Sequence, residues 1–408
     1  MEMNKRVLVV GINCFPELTG IGKYSGEMIN WLAENGYQTT MITAPPYYPD
    51  WRVQKPYQNY WYKKENFHEG KLNLYRCPLY IPRSPSGIKR LIHEATFFLS
   101  AFVVVFKLLF QQKHDLILVI APPFHLGFLA LFYRFFKGGK IVYHIQDLQI
   151  EAARELQMLP AGFFSILFGM ERFIMKRVEF ISTISEGMLS KLKLKTDKQL
   201  TFFPNWVDIA GFYPLPERST LKLKWDYNEN DQVVLYSGSI GEKQGLISLL
   251  RIAELLQDNS KIKFLICGNG PYKQELIRIR DQKGIKNVRF LPFQDYSKFN
   301  EFLNMADIHL ILQKANASDL VMPSKLTAIL SVGGLAIVTA NAGTTLYQVI
   351  NEHGMGVVVP AEEDQILASK ILEISESNQN QLRINAREYA SKYLDKNNIL
   401  PKMVKDFS

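Results

Sequence analysis

The segment VVLYSGSIGEKQGLISLL, residues Val233–Leu250, joins a short apolar run to a helical pattern through a turn rich in glycine. Val233-Val234-Leu235-Tyr236 has the length and the β-branched character of a buried strand, and the later leucines recur at helical spacing. Between them lie Ser237-Gly238-Ser239-Ile240-Gly241, Lys243 and Gly245. In α/β proteins such a turn holds phosphate, because small residues let the anion reach free N–H groups at a helix N-terminus. An ordinary strand-to-helix turn has the same pattern, so this segment alone leaves both interpretations open.

The composition predicts a folded, globular chain of two or three domains. Of its 408 residues, 47% are hydrophobic and 21% are charged. The cysteines Cys14, Cys77 and Cys267 lie far apart, which argues against a disulfide framework and a zinc site and suits a reducing cytosol. The apolar run Val7–Val10 is too short for a signal peptide and predicts the first strand instead.

The formal net charge of +9 falls entirely within residues 1–205, while residues 206–408 are balanced. This asymmetry by itself indicates an anionic partner, either a phospholipid surface or a nucleic acid, although a solvated basic face is the simpler alternative. Of the two partners we expect the membrane surface and no nucleic acid. Phe97–Phe110 is apolar nearly all round, but a bilayer-spanning helix needs roughly 20 residues. Taken alone, Phe97–Phe110 is better explained as a buried helix packing on the first sheet. Together with Ala161–Arg177 and the basic charge of residues 1–205, however, it predicts peripheral attachment of the first domain to an anionic membrane.

Two successive runs of alternating strands and helices predict an α/β protein with two doubly wound domains and a cleft between them. The expected domains are 1–205 and 206–385, followed by a helix over 386–408 that packs back toward the first domain. Residues 45–87, rich in Pro, Tyr and Trp, are expected to be irregular. They form either a surface loop or a loop whose aromatic rings stack on sugars.

Polar side chains follow the predicted strand Lys140–Ile145. His144 and Gln146 project from the same face, and Asp147 comes next, at the carboxyl end where α/β proteins bind ligands. These residues are candidates for contact with a ligand, and a histidine here is equally compatible with a core position.

A glycine cluster near the N-terminus, Gly20-Ile21-Gly22 with Gly26, has the wrong spacing for a dinucleotide fingerprint. The next strand ends in Ala44-Pro45-Pro46 and not in the acidic residue that binds ribose, so NAD binding is not expected.

Together these motifs resemble the retaining glycosyltransferases of family 4, and the resemblance spans essentially the whole chain. The matching segments are Gly20-Ile21-Gly22, Pro204-Asn205-Trp206-Val207-Asp208 with Phe212, Gly238 with Gly241–Gly245, Gly268-Asn269-Gly270-Pro271, and Ala306-Asp307. The resemblance implies the GT-B architecture of two facing Rossmann-like domains, the second of which binds a nucleotide sugar.

The likeness is strongest to the glycosyltransferases of colanic acid synthesis, through Pro16–Tyr24, Ala44–Pro49, Ser237–Gly245 and Leu320–Leu326. It implies transfer of a sugar, with GDP-fucose as the suspected donor, to an undecaprenyl-diphosphate-linked saccharide in exopolysaccharide, capsule or O-antigen assembly. Such an enzyme would work in the cytoplasm, on the inner face of the bacterial membrane.

Two departures from the family pattern stand out. Ser239 replaces the arginine that follows the glycine of the phosphate turn. Asp319 lies within a residue of the first of two family glutamates, which faces the donor sugar, and Ala328 occupies the place of the second, which binds ribose. The resemblance therefore leaves open how ribose is held.

The leaving nucleotide diphosphate carries about two negative charges that must be stabilised. The sequence has no Asp-x-Asp, so no metal and no other cofactor is expected. Lys243 supplies one positive charge, and Lys325, at a predicted helix start, replaces the missing arginine. The predicted contacts to the nucleotide sugar are Gly20, Ile21, Gly22, Asn205, Gly238, Ser239, Gly241, Lys243, Gly268, Asn269, Gly270, Pro323, Ser324, Lys325 and Leu326. Asp319 is a candidate for bonding the donor-sugar hydroxyls. The resemblance also implies that His144, Gln146 and Asp147 line the acceptor side of the catalytic site, where either His144 or Gln146 takes the place of a family histidine.

Two other functions remain open at this stage. One is a GT-B sugar-nucleotide epimerase or hydrolase, against which the apolar, basic first domain argues. The other is a catalytically silent partner subunit, suggested by Ala328, against which the retention of Lys243, Lys325 and Asp319 argues. The oligomeric state is not indicated.

Overall fold

The computed structural model describes residues 5–83, 85, 87–155, 160–241, 244–313 and 323–407. It divides the chain into two compact units, one formed by Met1–Pro204 with Leu400–Ser408 and the other by Asn205–Ile399. The second unit thus begins at Asn205, one residue before the predicted boundary. Of the predicted C-terminal segment 386–408, only the part from Leu400 groups with the first unit.

The described part of the first unit contains an eight-stranded sheet. Its strands are β1 (Arg6–Val10), β2 (Gln38–Thr43), β3 (Lys63–Phe67), β4 (Leu72–Arg76), β5 (Leu116–Ala121), β6 (Lys140–Ile145), β7 (Phe180–Thr183) and β8 (Leu200–Phe202). They lie in the order β3-β4-β2-β1-β5-β6-β7-β8, and all neighbours are parallel except β3 and β4. The helices are α1 (Gly20–Glu34), α2 (Gly87–Leu108), α3 (Gly127–Lys137), α4 (Gln149–Glu155), α5 (Ala161–Arg177) and α6 (Glu186–Lys193).

The expectation that residues 45–87 are irregular is wrong for part of this stretch, because β3 and β4 form an antiparallel pair within it. The sequence of β3, KKENF, is largely exposed at the sheet edge and has no apolar alternation to reveal it. The pair is held by Arg76, which is 1% exposed and whose Nε lies 2.6 Å from Glu65 Oε2.

The apolar helix is longer than the sequence pattern indicated. The prediction began it at Phe97, whereas α2 begins at Gly87 and has 22 residues. Its first turns, GIKRLIHEAT, are polar on one side, and this masked the helical continuation in a search for apolar runs.

The second unit contains, within the described residues, a six-stranded parallel sheet. Its strands are β9 (Gln232–Ser237), β10 (Ile262–Cys267), β11 (Val288–Leu291), β12 (Ile308–Ile311), β13 (Ala336–Thr339) and β14 (Val357–Val359), in the order β11-β10-β9-β12-β13-β14. The order reverses between β9 and β12. In such sheets ligands bind outside the carboxyl ends of the strands at this point.

Helices cover both sides of the second sheet. They are α7 (Arg218–Leu221), α8 (Leu246–Leu255), α9 (Lys273–Gln282), α10 (Tyr296–Asn304), α11 (Lys325–Ser331), α12 (Thr345–Glu352), α13 (Asp364–Ser375) and α14 (Asn380–Tyr393). A last helix, α15 (Lys396–Phe407), follows a break at Leu394-Asp395, where the sequence had predicted one continuous helix. Asp395 makes an isolated parallel bridge with Val207, and this backbone pairing interrupts the helix.

The core of the second unit explains why β9 is its central strand. Val233, Val234, Leu235 and Tyr236 are at most 1% exposed, and side chains on both sides of the strand join large apolar clusters. Burying each such aliphatic side chain contributes about 1.5–3 kcal/mol. The strand is therefore rigid, and the turn that follows it starts from a fixed point.

Candidate active site

Two glycine turns lie against each other at the carboxyl edge of the second sheet. The Ile240 N–H donates to the Asn269 carbonyl oxygen at 2.8 Å, and the Tyr272 N–H donates to the Ile240 carbonyl oxygen at 3.2 Å. Gly238 N–H donates to the Cys267 carbonyl oxygen at 2.9 Å. The turn Gly268-Asn269-Gly270 thus acts as a backing for the turn 237–241.

This backbone contact requires glycine. Gly268 has φ +152° and Gly270 has φ +153°, and a Cβ at either position would overlap a carbonyl oxygen, that of Gly238 or that of Ile240. An L-residue would also be strained at these angles. The predicted glycines are therefore brought together with the phosphate turn, and their direct contact with a ligand stays a prediction.

Lys325 reaches this turn from the first position of α11. Its Nζ lies 3.6 Å from the ring centroid of Tyr236, and a Cβ on Gly238 would lie 3.3 Å from the same Nζ. The Tyr236 hydroxyl donates to the Ser239 carbonyl oxygen at 2.8 Å, which fixes the ring beneath the ammonium group. The structure therefore brings Gly238, Ser239 and Lys325 together at the point where the strand order reverses.

The ammonium group of Lys325 is buried without a hydrogen-bond partner among the residues that the structure describes. Desolvation lowers the pKa of Lys325 from its ordinary value of 10.5 to about 7. A buried, unpaired cation is costly, and an anion placed beside it would remove that cost.

The start of α11 offers fewer free N–H groups than expected. The Leu326 N–H donates to the Pro323 carbonyl oxygen at 3.0 Å, and the Thr327 hydroxyl donates to the Ser324 carbonyl oxygen at 3.1 Å. The N–H of Leu326 is thus already used within the turn. The side chain of Lys325 is therefore a better candidate for contact with an anion than the N–H groups at the start of α11.

Two of the predicted site residues fall outside the part of the chain that the structure describes. Lys243 and Asp319 lie outside the residues that the structure describes. Next to Lys243, Gln244 donates its N–H to the Gly241 carbonyl oxygen at 3.3 Å. The Asn205 Oδ1 is buried and has no hydrogen-bond partner within the described part of the chain, so it remains a candidate acceptor for a ligand N–H or O–H.

In the first unit, the N-terminal glycines begin α1 and pack on a buried acid that the sequence reading passed over. Gly20 has φ +57°, and a Cβ on Gly22 would overlap the Glu17 carboxylate. Glu17 Oε1 accepts the N–H groups of Tyr47 and Tyr48, both at 2.9 Å. Burial raises the pKa of Glu17 to about 7.

This carboxylate joins the loop after β1 to the loop after β2. Its Oε2 also accepts from Asn13 Nδ2 at 2.9 Å. The available sequence signal was an acid, Glu17, three residues before the first glycine of Gly20-Ile21-Gly22. Ile21, in the first turn of α1, accepts the Ser25 hydroxyl at its carbonyl oxygen, 2.8 Å away.

At the end of β6, His144 and Gln146 are both buried, whereas Asp147 is half-buried. His144 is 2% exposed, its Nδ1 lies 3.0 Å from Ser182 Oγ, and its ring packs 4.8 Å from that of Phe203. Burial lowers the pKa of His144 to about 3, so it is neutral at physiological pH. Gln146 follows the strand with its N–H on the Ala121 carbonyl oxygen at 2.8 Å, and Asp147 is half-buried next to it.

A second network missed from the sequence ties α2 to this edge. Gln149 Nε2 donates to Glu94 Oε1 at 2.7 Å, and Gln149 Oε1 accepts the Phe124 N–H at 3.1 Å. Burial raises the pKa of Glu94 to about 7. These contacts hold the start of α4, two residues beyond Asp147, against α2. In the described residues, no group of three or more His, Cys, Asp or Glu side chains is placed to hold a metal ion.

The comparisons with known proteins define the class. Residues 19–206 match the family model "Glycosyl transferase 4-like domain" and residues 217–393 match "Glycosyl transferases group 1". The structure is similar to that of sucrose-phosphate synthase from Thermosynechococcus elongatus, with a TM-score of 0.78, 14% identity and coverage of 99% of this chain and 98% of the other. It is also similar to Anabaena HepE in complex with UDP-glucose, with a TM-score of 0.70, 13% identity and 98% of both chains covered. The predicted GT-B fold is confirmed.

A relative that matches nearly the whole chain then identifies the family within this class. The chain is 39% identical over 415 residues to the colanic acid biosynthesis glycosyl transferase WcaI of Escherichia coli strain K12, covering 98% of this chain and 99% of the relative. The protein therefore belongs to the group 1 glycosyltransferases, in the family of colanic acid biosynthesis, and it is a glycosyltransferase.

Proposed function

We propose that this glycosyltransferase moves a sugar, with retention of configuration, from a nucleotide diphosphate donor to a lipid-linked saccharide. The donor we propose is GDP-fucose and the acceptor an undecaprenyl-diphosphate saccharide, in assembly of an exopolysaccharide. The relative named for colanic acid biosynthesis supports this pathway class. We further propose that the enzyme works without a metal and on the cytoplasmic face of the membrane.

The donor proposal rests on the position of the Lys325 ammonium group. Its buried ammonium group lies against Gly238 and lacks a hydrogen-bond partner in the described chain, at the strand reversal where α/β sheets bind ligands. A nucleotide diphosphate supplies the two negative charges that such a group would pair with. One preorganised electrostatic donor of this kind is typically worth about 2.7–4 kcal/mol in the transition state.

The reaction breaks the bond between the sugar anomeric carbon and the diphosphate oxygen. The acceptor hydroxyl forms the new bond on the same face of the sugar and gives its proton to the departing diphosphate oxygen, and the diphosphate leaves with the bonding electrons. In this scheme Lys325 and Lys243 neutralise the leaving group, and Asp319 bonds the donor-sugar hydroxyls. Gln146 and Asp147, at the edge of the first sheet, contact the acceptor, whereas His144 orients that edge from the core.

The test is a thermal-shift series with GDP, UDP and dTDP followed by transfer assays with the corresponding nucleotide sugars. We expect one nucleoside diphosphate to raise the unfolding temperature clearly more than the others, and GDP to be that one. Labelled sugar should then enter a lipid extract of a strain that makes the acceptor. Stabilisation by no nucleotide would contradict the donor proposal, and hydrolysis without transfer would contradict the acceptor proposal.

A further inference from the structure

One face of the first unit exposes a row of large apolar side chains along α2. Leu99 is 66% exposed, Val103 is 54% exposed and Phe106 is 50% exposed. Among the described residues α2 is the one helix long and apolar enough to cross a membrane, and only 39% of its most apolar window is buried. A core helix of this hydropathy would be buried on most of its surface, so the outer side of α2 needs an explanation.

The apolar surface continues from α2 onto α3. The rings of Phe102 and Phe132 lie 4.9 Å apart, and those of Phe132 and Phe136 lie 5.1 Å apart. Phe135 and Phe136 complete the row at 83% and 57% exposure. We call this continuous surface the apolar face, and its exposed members are Leu99, Phe102, Val103, Phe106, Phe135 and Phe136.

The helices that carry and flank the apolar face are predominantly basic. The sequences of α2, α3 and α5 contain eight Lys and Arg residues and two Glu residues. Both acids are occupied, Glu171 by Lys195 Nζ at 2.5 Å and Glu94 by Gln149 Nε2 at 2.7 Å. Arg134 pairs with Glu179, from outside these helices, but Lys176 and Arg177 are exposed.

We propose that the apolar face inserts into the headgroup region of a bilayer containing anionic phospholipid, with the basic residues of α2, α3 and α5 against the headgroups. The proposal rests on the proposed function only in that a lipid-linked acceptor is found at such a surface. Exposed aromatic and aliphatic side chains beside lysine and arginine are the features that bind an anionic interface. This assigns the attachment to named residues of one surface.

Insertion is parallel to the membrane and not across it. The opposite side of α2 is committed to the core, where Phe97, Ala101, Val105 and Leu108 are fully buried. A spanning orientation would remove these side chains from the sheet that they cover. The charged Lys107 in the last turn also opposes a position in the hydrocarbon centre.

Aromatic residues border the apolar face. Tyr60 and Trp61 are 82% and 77% exposed, and the adjacent Tyr62 donates its hydroxyl to the Ser100 carbonyl oxygen of α2 at 3.2 Å. Tyrosine and tryptophan favour the boundary between water and lipid. The loop before β3 is thus tied to α2 where such a boundary would lie.

A second copy of the chain fits this surface less well. A two-fold dimer places the same patch of both copies face to face. Here that would bring the basic residues of two identical patches together, with the acids on these helices already engaged, and like charges across an interface oppose association.

The experiment is flotation of the full-length protein with vesicles of phosphatidylcholine alone or mixed with phosphatidylglycerol. We expect binding to the mixed vesicles at low salt, weaker binding at high salt, and little binding to phosphatidylcholine alone. Phe106→Glu and Phe135→Glu should each reduce vesicle affinity by about tenfold or more, since each removes a buried aromatic group and adds a repelled charge. Lys176→Glu with Arg177→Glu should reduce binding to the mixed vesicles through charge alone.

Leu255→Glu is the matched control, because Leu255 is 55% exposed in the second unit and lies outside the apolar face. It should leave vesicle binding unchanged. The thermal shifts caused by GDP and UDP should be the same in all variants, so that loss of attachment is distinguished from failure of the donor proposal. Absence of binding to mixed vesicles, or equal binding by all variants, would overturn the inference. So would a dimer in solution that Phe106→Glu and Phe135→Glu both dissociate.

Discussion

The Nζ of Lys325 lies 3.6 Å from the ring centroid of Tyr236, in the strand that leads into the phosphate turn. Within the described chain, the face of the Tyr236 ring is the contact of this buried ammonium group, because no described hydrogen-bond acceptor lies within bonding distance of Lys325 Nζ. A cation–π contact is worth about 2 kcal/mol when desolvated, which is less than the cost of burying a charge. The pair is therefore suited to receive an anion above the ring.

The first prediction concerns the charge of Lys325. Lys325→Ala should lower kcat for sugar transfer by about a hundredfold or more, the effect of one lost electrostatic donor. Lys325→Arg should retain more activity than Lys325→Ala, because it keeps the positive charge. The measurement is steady-state transfer to the lipid acceptor, and unchanged kcat in Lys325→Ala would refute the idea that this lysine replaces the missing arginine.

The second prediction concerns the backing turn. Gly268→Ala should lower the free energy of unfolding by about 2–4 kcal/mol, from strain at φ +152° and overlap with Gly238. Gly284→Ala is the control, because Gly284 has φ +64° with no described atom within 4 Å of the added Cβ. Its cost should be only about 1 kcal/mol. Urea denaturation followed by circular dichroism measures both, and equal losses would mean that the contact between the turns is not rigid.

The third prediction separates His144 from Gln146. His144→Asn should destabilise the first unit by about 2–4 kcal/mol, because it removes the ring that packs on Phe203. Gln146 is 5% exposed, so Gln146→Ala should cost some stability, but less than His144→Asn, and it should lower kcat. Since burial holds the pKa of His144 near 3, the pH–rate profile should show no limb that His144→Asn removes. Loss of such a limb in this variant would instead make His144 a proton-transfer residue.

The strand, turn and helix of Val233–Leu250 could be predicted because each signal there is local. Four buried apolar residues, a glycine turn and a helical repeat need no information from elsewhere in the chain. The approach of Lys325 to Gly238 could be guessed only from the family pattern, since it depends on β12 pairing with β9. The edge strand Lys63–Phe67 was missed because it buries almost nothing, and pairing with β4 stabilises it instead.

The burial of Glu17 and Glu94 could not be predicted from the sequence. An isolated acid in a loop or in a helix is ordinarily a solvated residue. Their burial depends on partners supplied by other segments, Tyr47 and Tyr48 for Glu17 and Gln149 for Glu94. The same holds for the exposure of α2, since an apolar repeat does not reveal which side of a helix the sheet covers.

The fourth prediction is that transfer does not require a metal. The sequence lacks an Asp-x-Asp, and lysines are available to neutralise the diphosphate. Activity should therefore persist in excess EDTA and should not rise when magnesium or manganese is added. Complete loss in EDTA that either metal restores would contradict the proposed lysine clamp.

The last prediction follows from the pKa of Lys325, which burial lowers to about 7. A bound diphosphate favours the charged ammonium form and raises this pKa again. When the free lysine is neutral, binding of the diphosphate takes up a proton. The contribution of Lys325 to the affinity is therefore fully present below pH 7 and declines as the pH rises above 7. Between pH 7 and the higher pKa of the complex, Kd for the preferred nucleoside diphosphate should rise by up to about tenfold per pH unit.

Isothermal titration calorimetry in buffers of different ionisation enthalpy measures both the affinity and the proton uptake. Lys325→Arg stays protonated over this range and should bind with a weaker dependence on pH. Lys325→Met should bind poorly at every pH and take up no proton at this position. A wild-type affinity that is constant from pH 7 to 9, without proton uptake, would show that the diphosphate does not contact Lys325.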